Sequence, residues 1–164
     1  MTLDLDVQLQ VALRALEETV APALGNAEKH VVEQLHLAIA TIGFVKTRLP
    51  DARRYARMEL AAYLELAEQS LACAGDDSEL AASVSSDRAI LDSVEADSAG
   101  IAAATRALRD GVTALGSRTQ DPAVRAALDA LVLDRGGAIV AQAQQWASPF
   151  GFELKPEDLP PPAW

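Results

Sequence analysis

Apolar residues recur every three or four positions along nearly the whole chain, and no stretch alternates with period two. That spacing gathers them on one side of an α-helix and leaves nothing that reads as a strand. Half of the 164 residues are apolar but only 4% are aromatic, because Ala and Leu supply most of the count. Small side chains let helices approach closely. The expected fold is therefore all-α: an antiparallel up-and-down helical bundle of five to six helices with short loops and an extended C-terminal arm. The length suits one domain, expected over 1–148, with a Pro- and aromatic-bearing arm over 149–164.

The helices can be placed one by one. Leu5, Leu9, Leu13, Leu16 and Val20 form the inner face of a first helix over 4–21, ended by Pro22, Gly25 and Asn26. Asn26 is expected to cap a second helix over 27–48, with Val32, Leu35, Ile39, Ile42 and Val45 inward. Leu49-Pro50 stops it, since the residue before proline disfavours the α region. Asp51 then caps a third helix that reaches Ala74 and ends at Gly75. Tyr55, Met58, Ala62, Leu66 and Gln69 fall on one stripe, and Leu60, Tyr63, Leu64, Ala67 and Leu71 widen the apolar surface.

Over 78–117 one 3-4 seam runs through Leu80, Val84, Leu91, Val94, Ile101, Leu108, Val112 and Leu115, with Asp87, Ser98 and Thr105 as polar members. Unbroken, that helix would be about 60 Å long and overhang its neighbours. A break at Asp97-Ser98-Ala99-Gly100 is preferred, with Asp97 or Ser98 as cap. Asp121-Pro122 opens the last helix. Gly136-Gly137 within it suggests a kink or a close helix–helix approach.

Charge excludes whole classes of function. There are 24 acids against 14 bases, a net charge of −10, so a general nucleic-acid surface is not expected. No run of about 20 apolar residues offers a membrane span, and the opening MTLDLDVQLQ lacks the basic and apolar regions of a signal peptide. The single Cys73 rules out an intrachain disulfide and a four-thiolate zinc site. Together these point to a cytoplasmic protein.

Two constellations are candidates for chemistry. Lys46, Arg48, Arg53, Arg54 and Arg57, interrupted by Asp51, carry a local +4 within the acidic chain, and Tyr55 lies among them. Converging guanidiniums bind phosphate or carboxylate, so this basic corner is the candidate site for a small anionic ligand of nucleotide or acyl-CoA type. The alternative is simple helix-end electrostatics, although Arg53 to Arg57 fall in a first turn, where the dipole disfavours cations. His30, Glu33 and His36 include an i, i+3 Glu–His pair of the kind found in di-iron bundles. A full site needs a second such motif and no further histidine exists, so the plainer reading is a polar helix shoulder.

Three further features have plainer readings. Asp76, Asp77, Glu79, Asp87, Asp92, Glu95 and Asp97 read as a solvated acidic face, without calcium-loop spacing, or as a surface that meets the basic corner of another copy. Cys73 has no neighbouring base in sequence. Phe150, Phe152 and Trp164, with Trp146, are four of the seven aromatics. They suit an anchor that wraps its own bundle or docks on a neighbour, or else a free tail.

The run Leu13 to Leu24, LRALEETVAPAL, followed by an apolar helix containing histidine, resembles the opening of small all-helical bacterial proteins of unknown function. The similarity covers about the first third of the chain and implies a helical fold. The segment RLPDARRYARMEL is similar to the helical C-terminal domain of acyl-CoA dehydrogenases. The chain departs from that family in lacking the catalytic glutamate context, the flavin-binding Gly-Gly setting and the nucleotide-binding sheet domain, so that activity is not expected. No phosphate-binding glycine loop, nucleophile elbow or zinc motif is present. The expectation is a non-enzymatic module without a cofactor, associating as a homo-oligomer (a dimer) or with a protein partner, and binding neither nucleic acid nor membrane.

Overall fold

A computed structural model describes residues 4–25, 27–75, 77–148 and 156–164. They are all-α, and no strand occurs among them. They group into two compact units, Met1–Ala52 and Arg53–Trp164.

The first unit is a helical hairpin. Helix α1 (Leu5–Arg14) starts at Asp4, whose Oδ1 accepts the Asp6 N–H at 3.0 Å. It runs into a π-helical turn (Ala15–Val20) and then α2 (Ala21–Ala23). The run therefore ends at Ala23, two residues past the expected end, with Pro22 inside it. Proline lacks an N–H and its ring crowds the carbonyl four residues back. Here the Ala21 N–H donates to the Leu16 carbonyl, five residues back, and this wide turn carries the helix past the proline.

Helix α3 (Lys29–Arg48) starts after Glu28, which gives no side-chain cap bond. Asn26, the expected cap, lies outside the described residues. Helices α1 and α3 pack on each other. Lys46 Nζ in the last turn of α3 lies 3.3 Å from Asp6 Oδ1 in the first turn of α1, so the two run antiparallel. Leu13 is buried between them, while Leu9, Leu16, Val32, Leu35, Ile39 and Ile42 are half-buried. Leu5, expected inward, is 63% exposed at the hairpin's end, and Val20 and Val45 are exposed too. Asp51 closes a 3-10 turn (Leu49–Asp51), directly before the next helix begins at Ala52.

The second unit holds α4 (Ala52–Ala74), α5 (Ser78–Asp92), α6 (Ser98–Arg118), α7 (Pro122–Ala147) and a 3-10 turn (Pro156–Asp158). Aspartates set three of the helix starts. Asp77 Oδ1 accepts the Leu80 N–H at 2.9 Å, Asp97 Oδ1 the Gly100 N–H at 2.6 Å, and Asp121 Oδ1 the Ala123 N–H at 2.8 Å. The break at Asp97 is thus real, and Gly75 at φ +85° closes α4.

The seam keeps its phase across that break. Leu80, Asp87, Ile101, Thr105, Leu108, Val112 and Leu115 are all buried, joined by Leu60, Leu64, Leu66, Ala67 and Leu128 from α4 and α7. It lapses only around the break, where Val94 in the linker is 83% exposed and Ser98, the first residue of α6, is exposed. Close approach occurs at Gly111, where an added Cβ would lie 2.8 Å from Leu80 Cδ1. Gly136-Gly137 is not such a place. Helix α7 runs through it unbroken, and a Cβ at either position meets nothing within 4 Å.

Candidate functional site

Lys46 and Arg48 belong to the first unit; Arg53, Arg54, Tyr55 and Arg57 belong to the second. Lys46 is bound to Asp6, and the Arg48 guanidinium sits 5.8 Å from the Phe44 ring centre. In the second unit α5 ends at Asp92 and leaves orphan carbonyls. Arg57 Nη1 donates to the Ser93 carbonyl at 3.0 Å and Nη2 to the Leu91 carbonyl, while Arg53 Nη2 donates to the Val94 carbonyl. Cations that the α4 dipole disfavours are thus placed against the negative end of α5. Tyr55 turns instead to an aromatic cluster.

On α3, His30 Nδ1 lies 3.2 Å from Glu28 Oε2, Glu33 Oε1 is 3.4 Å from Lys29 Nζ, and His36 is exposed. Among the described residues no three His, Cys, Asp or Glu side chains gather as a metal site.

The acidic stretch largely serves the fold. Asp77 caps α5 and lies 2.5 Å from Arg118 Nη2, while Glu79 lies 3.4 Å from Arg118 Nη1. The Leu80 N–H first, and Arg118 second, hold the Asp77 carboxyl below its ordinary value. Asp76 lies outside the described residues. Cys73 is a free, exposed thiol.

The C-terminal segment packs on its own unit. Tyr55 and Trp146 stack with ring centres 4.3 Å apart, and Trp164 meets both edge-on at 5.4 and 5.2 Å. Gln142 holds the backbone behind it: Nε2 donates to the Pro161 carbonyl and Oε1 accepts the Ala163 N–H, each at 3.2 Å. Phe150 and Phe152 lie outside the described residues.

Tyr55 and Gln142 also border a cleft of about 140 Å³ between α4 and α7. Steps of three and four bring Tyr55, Met58, Glu59, Ala62 and Leu66 to one wall and Arg135, Ala138, Ile139 and Gln142 to the other. At one end Arg135 Nη2 is 3.4 Å from Glu65 Oε1 and its Nε bonds Gln69 Oε1 at 3.3 Å. Burial pushes the Glu59 carboxyl up, partly offset by the Arg109 charge. Burial also pushes the Tyr55 phenol up to about 12, with the Glu59 charge adding to the shift. Sequence periodicity placed Tyr55, Met58, Ala62 and Leu66 on one stripe but missed the cleft. The available signal was an acid, Glu59, one turn from Tyr55 beside that stripe.

The hairpin carries a second surface. Besides its half-buried stripe, α3 exposes Val31, Leu37 and Val45, the turn after it exposes Leu49, and α1 exposes Val7 and Val11. Gln34, Leu37, Ala38, Thr41 and Ile42 line a shallow depression on α3. The Thr41 hydroxyl donates to the Leu37 carbonyl at 2.8 Å, so the face presents mainly carbon. No helix among the described residues is long and apolar enough to cross a membrane. No family model, curated protein or solved structure matches the chain.

Proposed function

We propose that this chain is a non-enzymatic helical module that self-associates, the hairpin of one copy packing against the hairpin of a second. The observation that carries this reading is the apolar face of α3 and α1 outside their mutual contact, with Leu37 54% and Val11 58% exposed. A helix that is apolar on more than one side is normally covered on more than one side. From Leu37 to Val45 there is no charged residue, so a partner helix would desolvate no ion there. Residues 1–52 hold seven acids and four bases, −3 of the chain's −10. Two hairpins therefore meet with less repulsion than two copies of the remainder. Four helices from two hairpins make a bundle of ordinary size.

An anion site at 46–57 has less support, because Arg53 and Arg57 direct donors to backbone carbonyls. A lone thiol suits a reducing cytoplasm. Sedimentation equilibrium tests the association. A dimer is expected at tens of micromolar, with monomer from Leu37→Glu of unchanged helicity. A monomeric wild-type chain, or a Leu37→Glu variant as dimeric as wild type, overturns the reading.

A further inference from the structure

The cleft between α4 and α7 joins three properties rarely found together on a surface. Its walls are mostly carbon, from Met58, Ala62, Leu66, Ala138 and Ile139. Its ionic groups are unequally held. Arg135 is engaged by Glu65 and Gln69, whereas Glu59 has no hydrogen bond or close ion pair among the described residues and feels only the charge of Arg109, which is not part of the cleft wall. Its size is restricted, since about 140 Å³ is near the 150 Å³ or so that admits a benzene-sized guest. Drug-sized ligands need roughly 300 Å³ or more.

A half-buried carboxylate without a hydrogen-bonded partner gains most from a cation that brings its own apolar body, because the pair then shares one desolvated space. The Tyr55 ring, one turn before Glu59, adds an electron-rich surface near the same point. We propose that this cleft binds a small organic monocation of alkylammonium type, its charge at Glu59 and its hydrocarbon body between Ala62, Leu66, Ala138 and Ile139. Anions are disfavoured by Glu59, and neutral molecules of the same shape leave that carboxylate unpaired.

The site carries its own reporter. Trp146 and Trp164 are the protein's two tryptophans, and both lie against Tyr55 at the cleft's edge. Titration at pH 7.5 would compare n-pentylamine, which is protonated there, with n-pentanol and valerate, using tryptophan emission and calorimetry on the full chain. Saturable binding of n-pentylamine is expected, at least about tenfold tighter than either comparator, as one charged hydrogen bond provides. Glu59→Gln, checked for unchanged helicity, should reduce n-pentylamine affinity to that of n-pentanol, and Ala138→Phe should block both. No saturable binding of n-pentylamine, or equal binding by Glu59→Gln, overturns the proposal. The readout is independent of oligomeric state, so the association reading stands or falls separately.

Discussion

Tyr55 near the start of α4 and Trp146 at the end of α7 stack almost face to face, their ring planes 16° apart. The stack joins two helix ends some ninety positions apart in sequence, and Trp164 closes it edge-on from the chain terminus. In a protein this poor in aromatics, three rings in one cluster concentrate apolar area that Ala and Leu do not provide elsewhere.

Removing the capping ring should therefore be felt. Trp164→Ala loses two edge-to-face contacts and should cost about 1–2 kcal/mol of stability in urea unfolding. The remaining Trp146 should emit at longer wavelength as water reaches it. Gln142→Ala, which releases the Pro161 carbonyl and the Ala163 N–H, should produce a smaller shift in the same direction.

Tyr55 gives the cluster a pH signature. Its phenol is raised to about 12 in the folded chain, chiefly by burial and then by Glu59, against an ordinary value of 10.0. The unfolded chain gives up that proton first. Stability from this group is complete below pH 10 and is lost as pH rises from 10 to 12. Phenolate absorbance near 295 nm should appear later in the folded protein than in urea. Tyr63, raised by burial as well, should contribute to the same delay, and Tyr55→Phe should remove the larger part.

Most helix boundaries were legible because they rest on local chemistry. Asp97 and Asp121 cap their helices through bonds to residues two or three positions on, which a single stretch of sequence can encode. The seam from Leu80 to Leu115 was legible for the same reason. The first helix runs two residues past its expected end because a π-turn is an adjustment of the whole helix around one missing donor, with no distinct residue signature. The roles of Arg53 and Arg57 were hidden because their acceptors lie 34 to 41 residues away. Glu59 was hidden likewise: its half-burial depends on what α7 sets opposite α4.

Glycines in α6 and α7 should respond oppositely to the same change. In an exposed helix interior Gly→Ala stabilises by about 0.5–1 kcal/mol through lost unfolded freedom. Gly136→Ala meets open space and should show that gain. Gly111→Ala sets a methyl 2.8 Å from Leu80 Cδ1, and Leu80 is held in the core with 1% exposure. Overpacking of that kind costs about 1–3 kcal/mol, more than the helix gain, so the net change should be a loss. Thermal unfolding of the two variants side by side measures both signs.

Asp87 is a buried carboxyl in the seam. It is 5% exposed, its Oδ1 accepts from Ser86 Oγ at 3.1 Å, and its Oδ2 has no hydrogen-bond partner. Burial raises the carboxyl above its ordinary 3.8, with the Ser86 bond opposing in part. Between those two values the folded chain binds more protons than the unfolded one, so stability falls as pH rises through the window. The full deficit is present at neutral pH, where a buried, unpaired charge is retained at the expense of packing. Asp87→Asn keeps the shape and the Ser86 contact while removing the charge. It should stabilise the protein by about 1 kcal/mol at pH 7 and by almost nothing at pH 3. Urea unfolding at both pH values measures the difference, and equal effects at the two would show that the carboxylate is not the source of the cost.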